Sequence, residues 1–370
     1  MGSRSGTHRG GLRSLTPGDA REEAAEMTEA TNRRHALVVA PLFFGYEQDI
    51  VAEFERRGYE TVFVDERPSN SAIGRAVLRV RKTLVGRQID NYYRQKWSEL
   101  AGTSFDIVLV IKAEVIPRWF LEKLRKANPD ARLIFYSWDA VDNTPNCVAV
   151  LDCFDELFSF DADDVAARPE FSYLPLFYTQ EFEPLPTSEA ANPRSYTMSF
   201  IGTLHSERYA FAKRLFAGRS GTYGFFYVQA RWYFAMVKYL TREHSAVPWS
   251  DVSFDKLSRL QVAQIFRESV AVLDMPRRGQ AGLTIRTFEV LASGAVLVTT
   301  NPAVIREPFY DPARVIVIPD DLDEDESKRA LAQIDSIVPP QGPPPSFDRY
   351  SLASWVAAIV AAPSRSGGVV

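Results

Sequence analysis

The sequence has little of what would assign a class at once. Among 370 residues there are only two cysteines, Cys147 and Cys153. That is too few for a disulfide framework or a cysteine-type zinc site, and it suits a reducing compartment. Neither charge sign dominates: 43 Lys plus Arg stand against 47 Asp plus Glu, a formal net charge of −4, without the basic surplus of a nucleic-acid-binding chain. Long apolar runs are missing as well. The most aromatic stretch, residues 222–240, is interrupted by Gln229, Arg231 and Lys238, whereas a spanning helix needs about 20 predominantly apolar residues. Residues 1–34, rich in Gly, Ser, Arg, Glu and Ala, contain no apolar run of a signal peptide and read as a disordered extension, with Met27 an alternative start to Met1. No repeat of solenoid period is present.

A fingerprint is missing too. His35 to Leu42 has the continuous apolar run of a buried strand; the turn at Phe43–Tyr46 leads into a helical pattern through Ile50, Val51 and Phe54, Gly58 closes it, and Thr61 to Val64 forms the next strand. The turn lacks the Gly-x-Gly-x-x-Gly of dinucleotide-binding folds, which disfavours a nicotinamide enzyme.

What is present is strand–helix alternation over a length that suits two domains, with 46% hydrophobic and 24% charged residues. Further strands are predicted at 105–111, 132–136, 154–160, 196–201, 270–273, 296–299 and 315–318. This is an α/β chain of parallel type. Residues 179–194, with Glu, Pro and Ser, read as a linker. In parallel sheets ligands lie at the carboxyl ends of strands, so Lys112, Glu114, Trp138, Asp139, Asp142 and Asp161 are candidates to face a cleft. The basic pattern from Ala72 to Leu100, carrying Tyr92, Tyr93 and Trp97, is most simply a solvated helix face.

The chemistry concentrates between Val270 and Asn301. A strand, the polar turn 274–280, a helix with Ile285, Phe288, Val290 and Leu291 on its apolar positions, Gly294 and a second strand make one βαβ unit. At the turn, Gly282 permits close approach of a ligand, Thr284 is placed to cap the helix, and the first N–H groups form an anion site. Arg277, Arg278 and Arg286 would match phosphate oxygens. Glu289 falls where a carboxylate takes ribose hydroxyls. The plainer alternative is an i, i+3 ion pair between Arg286 and Glu289 on a solvated face. A second turn of the same kind, Gly202-Thr203-Leu204-His205, precedes the helix from Arg208 to Phe216.

The run from Gly282 to Gly294, Gly-Leu-Thr-Ile-Arg-Thr-Phe-Glu-Val-Leu-Ala-Ser-Gly, resembles the donor-binding segment of group 1 glycosyltransferases of the GT-B fold, of the CgeB-like and polysaccharide-biosynthesis branch. Ile111-Lys-Ala-Glu-Val115, Tyr136-Ser-Trp-Asp139 and Phe158-Ser-Phe-Asp-Ala-Asp-Asp164 resemble its amino-terminal half. The resemblance implies two Rossmann-like domains with parallel sheets facing across a cleft: an acceptor-side domain at 35–185, a nucleotide-sugar domain at 195–345, and a helix at 346–362 crossing back to the first. It implies glycosyl transfer from a nucleotide sugar to a glycan or lipid-linked acceptor in polysaccharide or lipopolysaccharide synthesis. Gly202, Thr203, Arg277, Gly282, Leu283, Thr284, Arg286 and Glu289 would hold the donor, Arg278 would neutralise the departing phosphate, and Glu114, Asp139 and His205 are the candidates for proton transfer. No metal and no cofactor is expected; the string Asp161-Ala-Asp163-Asp164 opens a helix, where acidic residues suit the dipole. The expected setting is cytoplasmic, with peripheral inner-membrane contact left open. One departure stands out. Retaining members often carry Glu-x7-Glu, and eight positions before Glu289 stands Ala281.

Overall fold

The computed structural model describes residues 34–68, 82–183, 194–276, 281–321, 324–336, 340 and 342–361. Arg75, Arg79, Arg81, Arg277 and Arg278 lie outside the described residues, as do both chain ends. The strands form two six-stranded sheets, every pairing parallel. The first, ordered β2-β1-β3-β4-β5-β6, contains β1 (Arg34–Ala40), β2 (Tyr59–Asp65), β3 (Ile107–Ile111), β4 (Arg132–Ser137), β5 (Glu156–Ser159) and β6 (Phe171–Tyr173). The second, ordered β12-β11-β10-β7-β8-β9, contains β7 (Tyr196–Thr203), β8 (Thr222–Tyr227), β9 (Val252–Ser253), β10 (Ser269–Asp274), β11 (Val296–Thr299) and β12 (Val315–Val317). Two short edge strands, β6 and β9, escape a reading by apolar runs because they contribute three and two residues.

The central strands are apolar throughout because helices cover both faces of each sheet. In β1, Leu37 and Val39 join one core with Tyr93 and Phe120, while Ala36, Val38 and Ala40 face the other side. That other side is shared. One apolar cluster takes Ala36 and Val38 from the first sheet, Val272 and Leu297 from the second, and Tyr46, Phe160, Phe177, Leu283 and Phe288 between them. The two domains therefore meet along a packed seam.

The closing helix, Leu352–Ala361, lies on the first domain. Trp355 packs edge-on to Tyr136 with ring centroids 4.8 Å apart, and Arg132 donates to the carbonyls of Ile359 (2.9 Å) and Val360 (2.7 Å), the last-turn oxygens that no helix satisfies internally. The helix before β10 starts at Arg259, where Ser258 and Gln261 form a capping box. In the Lys82–Glu99 helix the aromatic side chains turn inward: Tyr93 is fully buried, and its hydroxyl donates to the Glu66 carbonyl at 2.8 Å.

Candidate functional site

Strand order locates the site. From β7 the chain proceeds to β8 and β9 on one side; β10, β11 and β12 build outward on the other. The loops after β7 and β10 therefore diverge, leaving a crevice at the carboxyl ends. A cleft of about 1310 Å³ occupies it. His205 follows β7; Met275, Pro276 and Ala281 follow β10; Asn301, Pro302 and Ala303 follow β11; Ile318, Pro319 and Asp320 follow β12. Arg208 and Arg214, from the Ser206–Phe216 helix, supply cationic groups on the wall. Asp163 of the first domain closes one side and pairs with Arg306 at 3.3 Å. Pro302, Ala303, Val317, Ile318 and Pro319 give the β11–β12 side an apolar strip bordered by Arg306, Asp320 and Asp321, while Arg208 and Arg214 stand with Glu207 on the β7 side.

Asn301 shapes the wall. Its carboxamide oxygen accepts from the Ala303 N–H at 3.0 Å, and its amide nitrogen donates to the carbonyls of Ala281 (3.1 Å) and Gly282 (3.3 Å). Sequence reasoning gave this residue no role. The signal was present in Asn-Pro at a helix start, an N-cap followed by proline at the first position.

In the second loop of the pair, residues 282–284 face the other way. The Gly282 N–H donates to the Asp161 carboxylate at 2.8 Å, and a Cβ on Gly282 would stand 2.4 Å from the Phe160 ring. The close approach that glycine permits here is made by the first domain. Thr284 does not cap its helix: its hydroxyl donates to the Asp274 carboxylate at 2.7 Å, joined by Thr287 at 3.2 Å. Burial pushes the Asp274 carboxyl above its ordinary range. Glu289 is 1% exposed and accepts a 2.6 Å hydrogen bond from the Tyr46 hydroxyl of the first domain. Burial raises its pKa while Arg286, 3.8 Å away, opposes the rise. Tyr46 is raised by burial and by the Glu289 charge.

Of the residues singled out from sequence, His205 lines the cleft. Gly202, Thr203, Gly282, Leu283, Thr284, Arg286 and Glu289 do not; the last five take part in, or lie directly behind, the seam between domains. The Arg286–Glu289 contact has the geometry of the i, i+3 pair, though on a buried rather than a solvated face, because the first domain covers it. The intervening residues 277–280 are flanked by Pro276 and Ala281, both on the cleft wall.

Glu114 and Asp139 belong to a separate cluster at the carboxyl ends of β3 and β4. Lys112 pairs with Asp139 at 2.7 Å and Glu114 at 3.8 Å, and Arg67 with Glu114 at 2.6 Å. Lys112 and Ala113 hold positive φ, 82° and 50°, conformations costly for residues with a Cβ and concentrated at functional sites. Beside them Glu66 is fully buried, accepting from the Val115 N–H at 2.9 Å, and burial pushes its carboxyl up to about 7. Phe43 and Phe44, after β1, are exposed at 43% and 65%. Asp161 caps its own helix by accepting from Asp163 N at 2.9 Å.

Two parallel six-stranded sheets with a carboxyl-end cleft and a helix returning to the first domain define the GT-B class of two Rossmann-like domains. Residues 231–335 match the family described as glycosyl transferase-like. No protein of curated function matches the sequence. Sucrose-phosphate synthase from Thermosynechococcus elongatus is similar in structure, with a TM-score of 0.57 at 7% identity over 89% of this chain and 98% of that one. HepE from Anabaena, solved with UDP-glucose, gives 0.54 at 10% over 88% and 98%. The UDP-GlcNAc 2-epimerase of Methanocaldococcus jannaschii, solved with UDP-GlcNAc and UDP, gives 0.53 at 10% over 88% and 99%. The sequence match is to a glycosyl transferase-like family over residues 231–335, and the fold is the GT-B architecture shared with these structures.

Proposed function

We propose that this protein is a glycosyltransferase that moves a sugar from a nucleotide-sugar donor to a glycan or lipid-linked glycan of polysaccharide or lipopolysaccharide type, in a cytoplasmic setting. The observation that carries the reading is the cleft at the β7–β10 switch point, where an apolar strip from Pro302 to Pro319 faces Arg208 and Arg214, with the β10, β11 and β12 walls falling in the segment of glycosyl transferase-like sequence. The nucleobase would lie against Pro302, Ala303 and Ile318, and the diphosphate would face Arg208, Arg214 and His205. Arg277 and Arg278, on the segment between Pro276 and Ala281, are the proposed counter-charges to the departing phosphate; donors oriented before reaction stabilise charge as it develops.

Glu289 reaches a ribose only after Tyr46 lets it go, so that contact belongs to an arrangement with the domains further apart. The acceptor would approach from the first domain, across Phe43, Phe44 and Trp138, with Glu114 and Asp139 as candidate bases once released from Lys112 and Arg67.

A second reading, nucleotide or glycan binding without transfer, draws support from Ala281 in place of a glutamate and from the engagement of Glu289 by Tyr46. The test is mass spectrometry of nucleotide sugars incubated with the purified chain and candidate acceptors. Release of nucleoside diphosphate with a glycosylated product, lost in Arg208→Ala at unchanged thermal stability, supports transfer. Saturable donor binding without turnover selects the binding reading, recovery of an epimerised sugar sinks both, and no binding of any nucleotide sugar removes the cleft assignment.

A further inference from the structure

Between β8 and β9 the helix Arg231–Met236 runs directly into a wider turn, Val237–Thr241. The inner side is core: Phe234 and Val237 are buried, and the Phe234 ring lies 4.8 Å from that of Trp249. The outer side is apolar as well. Trp232 is 68% exposed, Met236 37%, Tyr239 63% and Leu240 79%, at spacings that fall along one ridge. The ridge is held in place rather than loose. Lys238 folds inward, where its ammonium donates to the carbonyls of Ser245 (2.6 Å) and Val247 (2.7 Å), and the Trp249 indole N–H donates to the Tyr239 hydroxyl at 3.2 Å.

Two observations select the occupant. Residues 231–242 carry no acidic residue in a chain whose net charge is −4; with Lys238 turned inward and Arg231 over the Phe254 ring, Arg242 is an exposed cation beside the ridge, and Trp and Tyr rings next to arginine suit the headgroup level of a bilayer. Four side chains at these exposures present on the order of 500 Å², short of the roughly 800 Å² per partner of a stable protein interface. Among the described residues no helix is long and apolar enough to cross a membrane, so contact would lie in the plane of the surface.

We propose that the Trp232, Met236, Tyr239 and Leu240 ridge docks on a membrane surface containing anionic lipid. Glu243, which follows it, lines the cleft, so docking would bring the cleft mouth to the lipid surface. The use of that placement for a lipid-linked acceptor rests on the functional reading above; the docking itself does not.

The test mixes the full chain with sucrose-loaded vesicles of phosphatidylcholine alone or with phosphatidylglycerol, at low and high salt. Sedimentation is expected with the anionic vesicles only, weakened by salt, and at least tenfold weaker in Trp232→Ser/Leu240→Ser. Leu260→Ser, at another exposed apolar position (66%), is expected to sediment as the wild type does. Leu240→Ser alone carries the comparison if the double variant does not fold. Equal sedimentation of wild type and variant overturns the proposal, and so does failure to sediment with any composition. A concentration-dependent dimer in light scattering that the variant abolishes, without vesicle binding, overturns it in favour of a second copy. No readout depends on transfer activity.

Discussion

The loops after β7 and β10 look alike in sequence: a glycine, a threonine, then a helix. Tertiary structure gives them opposite surroundings. The loop ending at His205 opens on the cleft, while Gly282, just past the cleft-lining Ala281, is sealed against Phe160 and Asp161 of the first domain. A glycine in such a turn announces that something comes close. It does not say whether that something is a phosphate or an aromatic ring from another domain, because both ask the same thing of the backbone.

The sharpest way to break this contrast is Gly282→Ala. Phe160 is buried, so the seam must shift to admit the methyl group, and a loss of about 3 kcal/mol in urea unfolding is expected. Gly202→Ala meets only the far edge of Phe200 in its own domain and should cost less. A loss of equal size at Gly202 would erase the distinction.

On the cleft side, Arg208→Ala/Arg214→Ala is expected to weaken nucleoside diphosphate binding by about 30- to 100-fold in calorimetry, the scale of one or two charge-assisted contacts. Unchanged binding would remove the arginine wall from the site. On the seam side, Tyr46→Phe strips the donor from a buried carboxylate and should cost about 1.5 kcal/mol. Because it also loosens the hold on Glu289, small-angle scattering should show a more open chain; identical scattering would mean that the apolar seam alone holds the domains together.

The smallest effect concerns pH. Burial raises the Glu289 pKa above its unfolded value, so the native state holds this proton more tightly than the unfolded one. Stability from this group is therefore full below the unfolded pKa and is lost as pH climbs through the raised native value. Glu289→Gln cannot ionise and should lose less stability than wild type as urea midpoints are followed from pH 4.5 to 8. Parallel curves would assign the slope to other buried carboxyls such as Asp274.

Much of the architecture was legible beforehand. Val296–Thr299 and Arg132–Tyr136 declare themselves as strands because both faces are covered, which forces an unbroken apolar run. The short edges β6 and β9 carry no such run and stayed hidden. His205 was legible as the residue after a strand end. Asn301 was overlooked, since its task of tying two carbonyls across a loop depends on a neighbour twenty residues away in the chain.

Local order and apolar period, both properties of consecutive residues, were sufficient to give strands, helices and a two-domain parallel α/β plan. The occupant of each glycine's open side, the partner of Glu289 and the inward turn of Lys238 were decided only by packing between distant segments. A side chain's neighbours through space are set by where whole sheets come to rest, and no window of sequence contains that information.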